Sequence, residues 1–260
     1  MAYEFVEVKR EGPVTIVTLN RPAVMNALHS PAHHELGAVF DTFAADPEQW
    51  VAIVTGAGER AFSAGNDLKH QATGGQMGQP PSGFAGLTTR YDLTKPLIAA
   101  VNGVAMGGGF EIALACDIII ASNAAVFALP EPRVGLAALA GGLHRLPRAI
   151  GTKRAMSMIL TARRVSAAEG KDLGFVAEVT APGDLMRVAR DWAKGICELG
   201  PMSIRASKEA VYKGLDEPSL EAALNNQKHY PAIAALYRSA DFVEGPLAFS
   251  QKRAPQWKGR

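Results

Sequence analysis

The hydrophobic and polar positions of the chain follow two different periods. Residues 1–10 alternate apolar and charged side chains, which predicts a first strand with one face exposed. Residues 31–43 place Leu36, Val39, Phe40 and Phe43 on one side of a helix. Short apolar runs rich in β-branched side chains predict further strands at 14–19, 51–55, 97–101 and 118–120. Strands that alternate with helices indicate an α/β core with parallel pairing.

The pattern changes after Gly151, where helical spacing dominates and 176–179 is the one strand-like run. Ser166 and Glu169 have the spacing of a capping box, and Pro231 should end or kink the last helix near Tyr230. The predicted helices are 153–160, 184–199, 203–214 and 219–238. An α/β core followed by a helical C-terminal region is therefore expected.

One long segment carries neither period. Residues 73–86 contain five glycines among Gln, Met, Pro, Ser and Phe. This composition predicts a mobile loop of the kind that borders functional sites. A solvated connection between two elements is the alternative.

Composition excludes several classes of protein. Of 260 residues, 48% are hydrophobic and 20% charged, which is ordinary for a folded chain of one or two domains. The net charge of +2 gives no electrostatic footprint for nucleic acid. Cys116 and Cys197 lie in no metal-binding pattern, so neither zinc nor a disulfide framework is expected.

Polar residues interrupt the apolar stretch 97–120, so no membrane span is predicted. Without a signal-peptide pattern, the cytoplasm or an organelle matrix is the expected location.

Two glycine-rich elements, 61–69 and 102–111, each follow a predicted strand. Glycine allows the backbone to approach a ligand closely, and the second element leads into a helix whose first N–H groups are free. Amides that converge from both loops would form an oxyanion hole, in which one donor contributes about 2.7–4 kcal/mol to a transition state. The alternative for either loop alone is a tight turn.

Two carboxylates mark the same region. Glu111 follows the second glycine run directly, and Glu131 lies between Pro130 and Pro132 after an apolar stretch. Two carboxylates in one desolvated site raise each other's pKa, which suits a general acid and a general base. Either glutamate taken alone is equally compatible with a capping or surface role.

The motifs together resemble the crotonase, or enoyl-CoA hydratase/isomerase, superfamily, in the right order over nearly the whole chain. They are Leu19-Asn20-Arg21-Pro22, Asn26-Ala27-Leu28, Phe62-Ser63-Ala64-Gly65-Asn66-Asp67-Leu68, Gly107-Gly108-Gly109-Phe110-Glu111, Pro130-Glu131, Gly141-Gly142 and Gly245-Pro246. The resemblance implies a spiral of ββα units over residues 1–195 and a helical C-terminal region, 196–260, that forms trimers or dimers of trimers. It also implies an acyl-CoA substrate, fatty acid metabolism and no cofactor besides the coenzyme A of the substrate.

The resemblance also implies roles for single residues. The backbone N–H groups of Asn66 and Gly108 match the oxyanion-hole positions, and Glu111 and Glu131 match the two catalytic glutamates of the hydratases. Both glutamates together favour hydration of a 2-enoyl-CoA, since many isomerases of the superfamily keep one. The positions implied for substrate or CoA contact are Ala64, Asp67, Leu68, Lys69, Leu139, Phe249 and Lys252.

The chain departs from the family pattern at two positions. Ala23 stands where many relatives place a CoA-binding lysine, so Arg21 is a possible substitute. Leu139 stands where hydratases often have a glycine, and its side chain would reshape the acyl pocket. Residues 128–131 and 143–147 also resemble the crotonobetainyl-CoA branch. An enoyl-CoA isomerase and a crotonobetainyl-CoA hydratase are therefore the alternatives to a general enoyl-CoA hydratase.

Other classes fit less well. Residues 56–61 match a dinucleotide-binding pattern, but no acidic residue follows at the required distance. A serine hydrolase would need a G-x-S-x-G elbow, which the sequence lacks. The histidines show no metal-binding spacing and are interpreted as surface or packing residues. A noncatalytic, RNA-associated relative would be favoured by loss of one glutamate, and both are present.

Overall fold

The computed structural model of the chain describes residues 3–75 and 78–260, whose strands form two sheets. Six strands form the larger sheet, in the order β1-β2-β3-β5-β7-β10, and four form the smaller, in the order β4-β6-β8-β9. The strands are β1 Val6–Glu11, β2 Val14–Leu19, β3 Val51–Gly56, β4 Ala61–Ser63, β5 Leu97–Val101, β6 Val104–Met106, β7 Ile118–Ser122, β8 Val126–Ala128, β9 Val165–Ser166 and β10 Glu178–Thr180. The part of the first-strand prediction that covers Met1 and Ala2 lies outside the described residues.

The helices in this part of the chain surround the sheets and fill the C-terminal third. They are α1 Ser30–Ala45, α2 Leu68–Ala72, α3 Gly108–Ala115, α4 Gly142–Ile150, α5 Thr152–Thr161, α6 Ala167–Leu173, α7 Leu185–Cys197, α8 Pro201–Asp216, α9 Leu220–Asn226, α10 Pro231–Arg238 and α11 Ala240–Ser250. No helix within residues 3–75 or 78–260 combines the length and the apolar character that a bilayer span requires.

Successive ββα units place one strand in each sheet. In three units the first strand (β3, β5 or β7) extends the larger sheet, and the next (β4, β6 or β8) joins the smaller one. Pairing between β3, β5 and β7, and between β4, β6 and β8, is parallel throughout. The chain thus winds as the expected crotonase-like spiral. Residues 56–61 lead into strand β4 and not into a helix, so the dinucleotide-binding pattern has no structural counterpart here.

The central strands β3 and β5 of the larger sheet are buried along their whole length because both faces of the sheet are covered there. Ile53 and Ile98 face α7, whereas Val54 and Ala99 face the main core, as the two-residue period of a strand requires. Helix α7 presents Leu185, Ala189 and Ala193, at four-residue spacing, to the first face. The predicted domain boundary at 195/196 falls within this helix and stays a prediction.

Several local predictions are confirmed. Ser166 Oγ accepts a hydrogen bond from Glu169 N at 3.2 Å and caps α6. Pro231 occupies the first turn of α10, so the predicted 219–238 helix is divided into two helices.

The prediction of a solvated connection is wrong for the last part of 73–86, since Phe84, Ala85 and Gly86 are buried. The loop prediction for Gln76 and Met77 lies outside the described residues.

A charged cluster attaches α8 to the ends of the parallel strands. Lys208 Nζ lies 2.7 Å from Asp117 Oδ2 and donates to Lys95 O at 2.9 Å. Asp117 also accepts hydrogen bonds from Leu97 N at 2.7 Å and from Tyr212 OH at 3.0 Å. The carboxylate therefore connects strand β5 to α8.

Replacing Lys208 by methionine should destabilise the fold, because the half-buried carboxylate of Asp117 would lose its ammonium partner. We expect a loss of about 2–4 kcal/mol in the free energy of unfolding, measured by urea denaturation. Arg187→Met is the control, since Arg187 forms exposed ion pairs with Asp184 and Asp191. Equal stability of the two variants would contradict the structural role of the Asp117 cluster.

Candidate functional site

Three loops meet at one edge of the smaller sheet. Strands β4, β6 and β8 run parallel, so their carboxyl ends lie side by side. The loop after β4 carries Asn66, the turn after β6 carries Gly108, and Glu131 follows β8 after two residues. Residues separated by as many as 65 positions are brought together here. Sheet topology thus gathers the predicted site residues at a single edge.

Two backbone amides at this edge have no partner within the described chain. Leu28 N donates to Gly65 O, and Leu28 O accepts from Asp67 N, both at 2.8 Å. These two bonds turn the N–H of Asn66 to the opposite side. Gly108 is the first residue of α3, so its N–H has no helical acceptor. Both donors are free to bind a ligand oxygen.

Close contact between the two loops depends on Gly65. Its φ of +87° lies in the left-handed region. A Cβ at this position would lie 2.7 Å from Met106 O and 2.8 Å from Gly108 N. The loop after β4 is therefore in direct contact with the turn after β6. Glycine is required at residue 65 both by conformation and by space.

Glu111 lies in the first turn of α3 and is only 3% exposed. Its Oε1 accepts a hydrogen bond from Gly142 N at 2.8 Å, which orients the carboxyl group. Burial raises the pKa of Glu111 to about 7, and the negative charge of Glu131 acts in the same direction. A carboxyl group with such a pKa exchanges a proton readily at neutral pH.

Glu131 begins a single 3₁₀ turn, Glu131–Val134, directly after Pro130. Its Oε2 is buried and has no hydrogen-bond partner among the described residues. Burial raises the pKa of this carboxyl group as well. A Cβ on Gly107 would lie 2.7 Å from Glu131 Oε1, so the carboxyl group lies against the turn that carries Gly108. Both glutamates therefore border the same turn.

The residues around Asn66 are engaged within the chain. Ala64 N donates to Met25 O at 2.9 Å. Asp67 caps α2 through His70 N and forms an ion pair with Arg21 at 3.0 Å. The same Arg21 nitrogen also donates to Ala27 O. Arg21, considered above as a substitute phosphate ligand, is thus held by Asp67. Two predicted CoA contacts, Leu68 and Lys69, are exposed on α2.

The remaining predicted contacts are exposed. Leu139 is 79% exposed, whereas Ala138 beside it is buried against Gly142, next to Glu111. Phe249, in α11, is 87% exposed, and Lys252 follows the end of that helix. Helix α11 packs mainly on α8 and α10. The contacts of these side chains with substrate stay predictions.

Sequence reasoning missed three side chains near this edge. The ring of Phe84 lies against Gly108, where a Cβ would be 2.4 Å from Phe84 Cζ. His33 packs on that ring with centroids 4.4 Å apart, and its Nδ1 accepts a hydrogen bond from Ala85 N at 3.0 Å. Arg145 Nη2 donates to Thr88 O at 2.8 Å, and its positive charge opposes the rise in the pKa of Glu111. The apolar and glycine-rich composition of 83–86 signalled only a loop.

His33 must remain neutral to accept the bond from Ala85, and burial lowers its pKa to about 4. The unfolded chain therefore binds a proton near pH 6.5 that the folded chain refuses until about pH 4, so folding stability falls as pH drops through this window. Between pH 7 and about pH 5 we expect a loss of about 2 kcal/mol from this group. In His33→Asn, whose side-chain oxygen can accept the same bond, this pH-dependent loss should be smaller. His33→Leu cannot accept the bond and should be less stable than His33→Asn at both pH values. Urea denaturation measures all three, and an identical pH dependence in wild type and His33→Asn would contradict this role.

Within residues 3–75 and 78–260, no three His, Cys, Asp or Glu side chains converge as a metal site would require. Cys116 is buried and Cys197 half-buried, and both are free thiols.

Comparison with known proteins agrees with the fold and the motifs. The family model described as enoyl-CoA hydratase/isomerase matches residues 9–260. Proteins named carnitinyl-CoA dehydratase from Salmonella typhi and from Escherichia coli strain K12 are each 43% identical over 264 residues, covering 99% of both chains. The solved enoyl-CoA hydratase EchA1 of Mycobacterium marinum superposes with a TM-score of 0.92 at 36% identity, covering 98% of this chain and 99% of that one. The enoyl-CoA hydratase of Bacillus anthracis gives 0.89 at 35% identity, covering 99% and 100%.

The spiral of ββα units, with its C-terminal helices, is the crotonase fold. The chain belongs to the enoyl-CoA hydratase/isomerase family, and its activity is of the hydratase type.

Proposed function

We propose that the chain catalyses the reversible syn addition of water to the 2,3 double bond of a 2-enoyl-CoA thioester. The observation that carries this proposal is the pairing of two free amides, on Asn66 and Gly108, with the buried Glu111 and the half-buried Glu131 at one edge. An isomerase needs only one such acid. Two acids with raised pKa values allow one group to activate water while the other delivers a proton.

The roles follow from the chemistry of the addition. The two amides would hold the thioester oxygen as negative charge develops on it, which stabilises the enolate-like transition state. Glu111, oriented by Gly142, would position the water together with Glu131 and accept its proton. Water attacks Cβ, and Glu131 delivers a proton to Cα from the same face. These steps use only groups of the chain itself, so the proposed reaction needs no resident cofactor.

Two kinds of acyl group are candidates for the substrate. The relatives named carnitinyl-CoA dehydratase favour crotonobetainyl-CoA as a second candidate substrate, with a trimethylammonium group on the acyl chain. A cavity of about 400 Å³ is lined by Met106, Ala128 and Pro130, the residue before Glu131, together with the exposed Arg133 and Arg164. If the acyl tail enters this cavity, the two guanidinium groups would disfavour a cationic head group. We therefore propose that the substrate carries an uncharged acyl chain.

A substrate panel tests this choice. Hydration of crotonyl-CoA, hydration of crotonobetainyl-CoA and isomerisation of a 3-enoyl-CoA are compared by kcat/KM, with RNA retention measured in parallel. The proposal expects crotonyl-CoA to be hydrated best. A strong preference for crotonobetainyl-CoA would assign the narrower activity, and a preference for the 3-enoyl substrate would overturn hydration. RNA retention without turnover would indicate a noncatalytic relative.

We also propose a homotrimer, or a dimer of trimers, formed through the C-terminal helices. Large apolar side chains are exposed on this region of the single chain, which is a sign of a covered surface. They include Val211, Leu215, Leu220, Leu224, Tyr237 and Val243. Sedimentation velocity would measure the assembly, and a monomer at micromolar concentration would contradict it. We propose in addition that residues 196–260 form a separate helical region. We also propose that the protein is located in the cytoplasm and acts in fatty acid metabolism.

A further inference from the structure

Residues 21–28 lie between strand β2 and α1, and we call this segment the 21–28 turn. It carries residues of two sequence motifs described above, neither of which takes part in the proposed reaction. The turn lies along the loop after β4, where Leu28 and Asn66 form a parallel bridge. The loop that presents the amide of Asn66 is thus supported by a second segment of the chain.

The residues on both sides of Asn66 are hydrogen-bonded to the 21–28 turn. The bonds join Ser63 Oγ to Asn26 O at 2.8 Å, Ala64 N to Met25 O at 2.9 Å, Leu28 N to Gly65 O at 2.8 Å and Asp67 N to Leu28 O at 2.8 Å. Because these bonds hold the backbone before and after Asn66, they set the direction in which its N–H points.

The turn itself has a backbone conformation that is unfavourable in isolation. Met25 and Asn26 have φ of +59° and +54°, in the left-handed region, although neither is a glycine. The side chain of Asn26 accepts a hydrogen bond from Arg21 N at 2.9 Å. It also donates to Ala57 O at 3.0 Å and to Ala61 O at 2.8 Å. Strained backbone persists only where its surroundings impose it, and it clusters at functional sites.

Arg21 connects the turn to the residue that follows Asn66. Its Nη1 donates to Ala27 O and lies 3.0 Å from Asp67 Oδ2. The ion pair is nearly buried, with 17% of the Arg21 side chain and 11% of the Asp67 side chain exposed. Asp67 Oδ1 accepts from His70 N at 3.1 Å, so both carboxylate oxygens are bound. Loss of the ion pair would therefore allow the backbone next to Asn66 to move.

We propose that Arg21 is a positioning residue, which acts through Asp67 to direct the N–H of Asn66 at the thioester oxygen. This role depends on the oxyanion hole of the proposed function. The alternative role of Arg21, an ion pair with a phosphate group of coenzyme A, is disfavoured because Asp67 already neutralises its charge. A displacement of about 1 Å at a reacting group can lower the rate about 10²-fold, so a positioning residue has a measurable effect.

Butyryl-CoA with an isotope label at the thioester carbonyl is the probe, because its saturated acyl chain cannot add water. Infrared difference spectroscopy on the full chain compares the carbonyl stretching frequency of the bound and free thioester. Hydrogen bonds from the two amides should lower this frequency in wild type. Arg21→Met should lose most of the shift, whereas Arg21→Lys, which keeps a cation beside Asp67, should retain more of it. A wild-type shift in Arg21→Met would overturn the positioning role.

Kinetics and ligand binding separate positioning from contact with the CoA phosphates. In Arg21→Met, kcat for hydration of crotonyl-CoA should fall by about 10–100-fold, and KM should rise less than kcat falls. Free coenzyme A has no thioester carbonyl, so titration calorimetry should show that it binds Arg21→Met as it binds wild type. Weaker binding of coenzyme A with an unchanged carbonyl shift would make Arg21 a phosphate ligand and overturn the proposal.

Lys208→Met is the matched control, because it removes an ion pair of similar burial, with 14% of Lys208 and 17% of Asp117 exposed. Asp117 lies beyond the end of α3 that is opposite to Gly108. Under conditions in which circular dichroism shows both methionine variants folded, Lys208→Met should keep the carbonyl shift. Equal loss in the two variants would indicate general loosening of the fold and overturn the role of Arg21.

Wild type distinguishes failure of the proposed function from failure of the positioning role. If bound butyryl-CoA showed no carbonyl shift in wild type, the oxyanion hole would be contradicted, and the role of Arg21 with it. If wild type showed the shift and Arg21→Met kept it, the oxyanion hole would stand and only the role of Arg21 would be overturned.

Discussion

Glu111→Gln should lower kcat for hydration by about 10²–10⁴-fold, because the amide cannot accept the proton of the attacking water. Glutamine preserves the shape of the side chain and can still accept the hydrogen bond from Gly142 N. Steady-state hydration of crotonyl-CoA measures the loss, and an unchanged sedimentation profile shows that assembly is intact. Turnover within a few-fold of wild type would remove Glu111 from the mechanism.

The same substitution should stabilise the fold at high pH. The pKa of Glu111 is raised to about 7 in the folded chain, above its value of 4.5 in the unfolded chain. Its contribution to stability is therefore complete below about pH 4.5 and is lost as pH rises through 7. Glu111→Gln removes this loss, so its free energy of unfolding relative to wild type should improve by roughly 3 kcal/mol between pH 4.5 and pH 8.5.

Glu244 provides a control, because its pKa is shifted in the opposite direction to that of Glu111. Two hydrogen bonds from Arg253 lower the pKa of Glu244 to about 2, so its charged form favours the fold above its unfolded pKa. Glu244→Gln should therefore lose stability at neutral pH and leave kcat unchanged. If both glutamine variants shifted stability in the same direction, the inferred environment of Glu111 would be wrong.

Gly65→Ala should lower kcat by about 10²–10³-fold, the effect of losing one oxyanion donor. The new Cβ would lie 2.8 Å from Gly108 N and 2.7 Å from Met106 O, so the two loops must separate. Separation moves the Asn66 and Gly108 amides apart, which removes their joint hold on one oxygen. Because the two amides bind the developing negative charge more strongly than the substrate carbonyl, kcat should fall more than KM rises.

Gly151→Ala is the matched control. Gly151 has φ of +81°, close to the +87° of Gly65, but a Cβ there would meet no atom within 4 Å. Both variants place a side chain at a positive φ, and only Gly65→Ala disturbs the two amides. Similar loss of kcat in the two variants would mean that strain alone explains the effect. Retained kcat in Gly65→Ala would contradict the proposed oxyanion hole.

Much of the fold was predictable from local pattern. Strands β2, β3, β5 and β7 are long enough to show continuous apolar runs, and these predictions are confirmed. The three-residue strands β4 and β6 were not predicted, because so few residues carry no measurable period. Helix α11 was missed since Gly245-Pro246 is typical of a turn, although Pro246 lies inside the helix.

The residues of the candidate site could be named from their sequence motifs, but their burial and their contacts could not be predicted. Burial of Glu111 and its bond to Gly142 depend on contacts between residues 31 positions apart. The packing of His33 on Phe84 joins α1 to the segment before β5, and the composition of neither segment indicates it.

Delivery of one loop per ββα unit to a common edge has an evolutionary consequence. The exposed segment 132–137 lies between Glu131 and the buried Ala138. If the acyl group lies against this segment, substitutions there would alter which acyl groups are accepted, while the amides of Asn66 and Gly108, carried by other units, stay in place. Substrate preference would then change through one segment, without a change in the groups proposed to carry out the reaction.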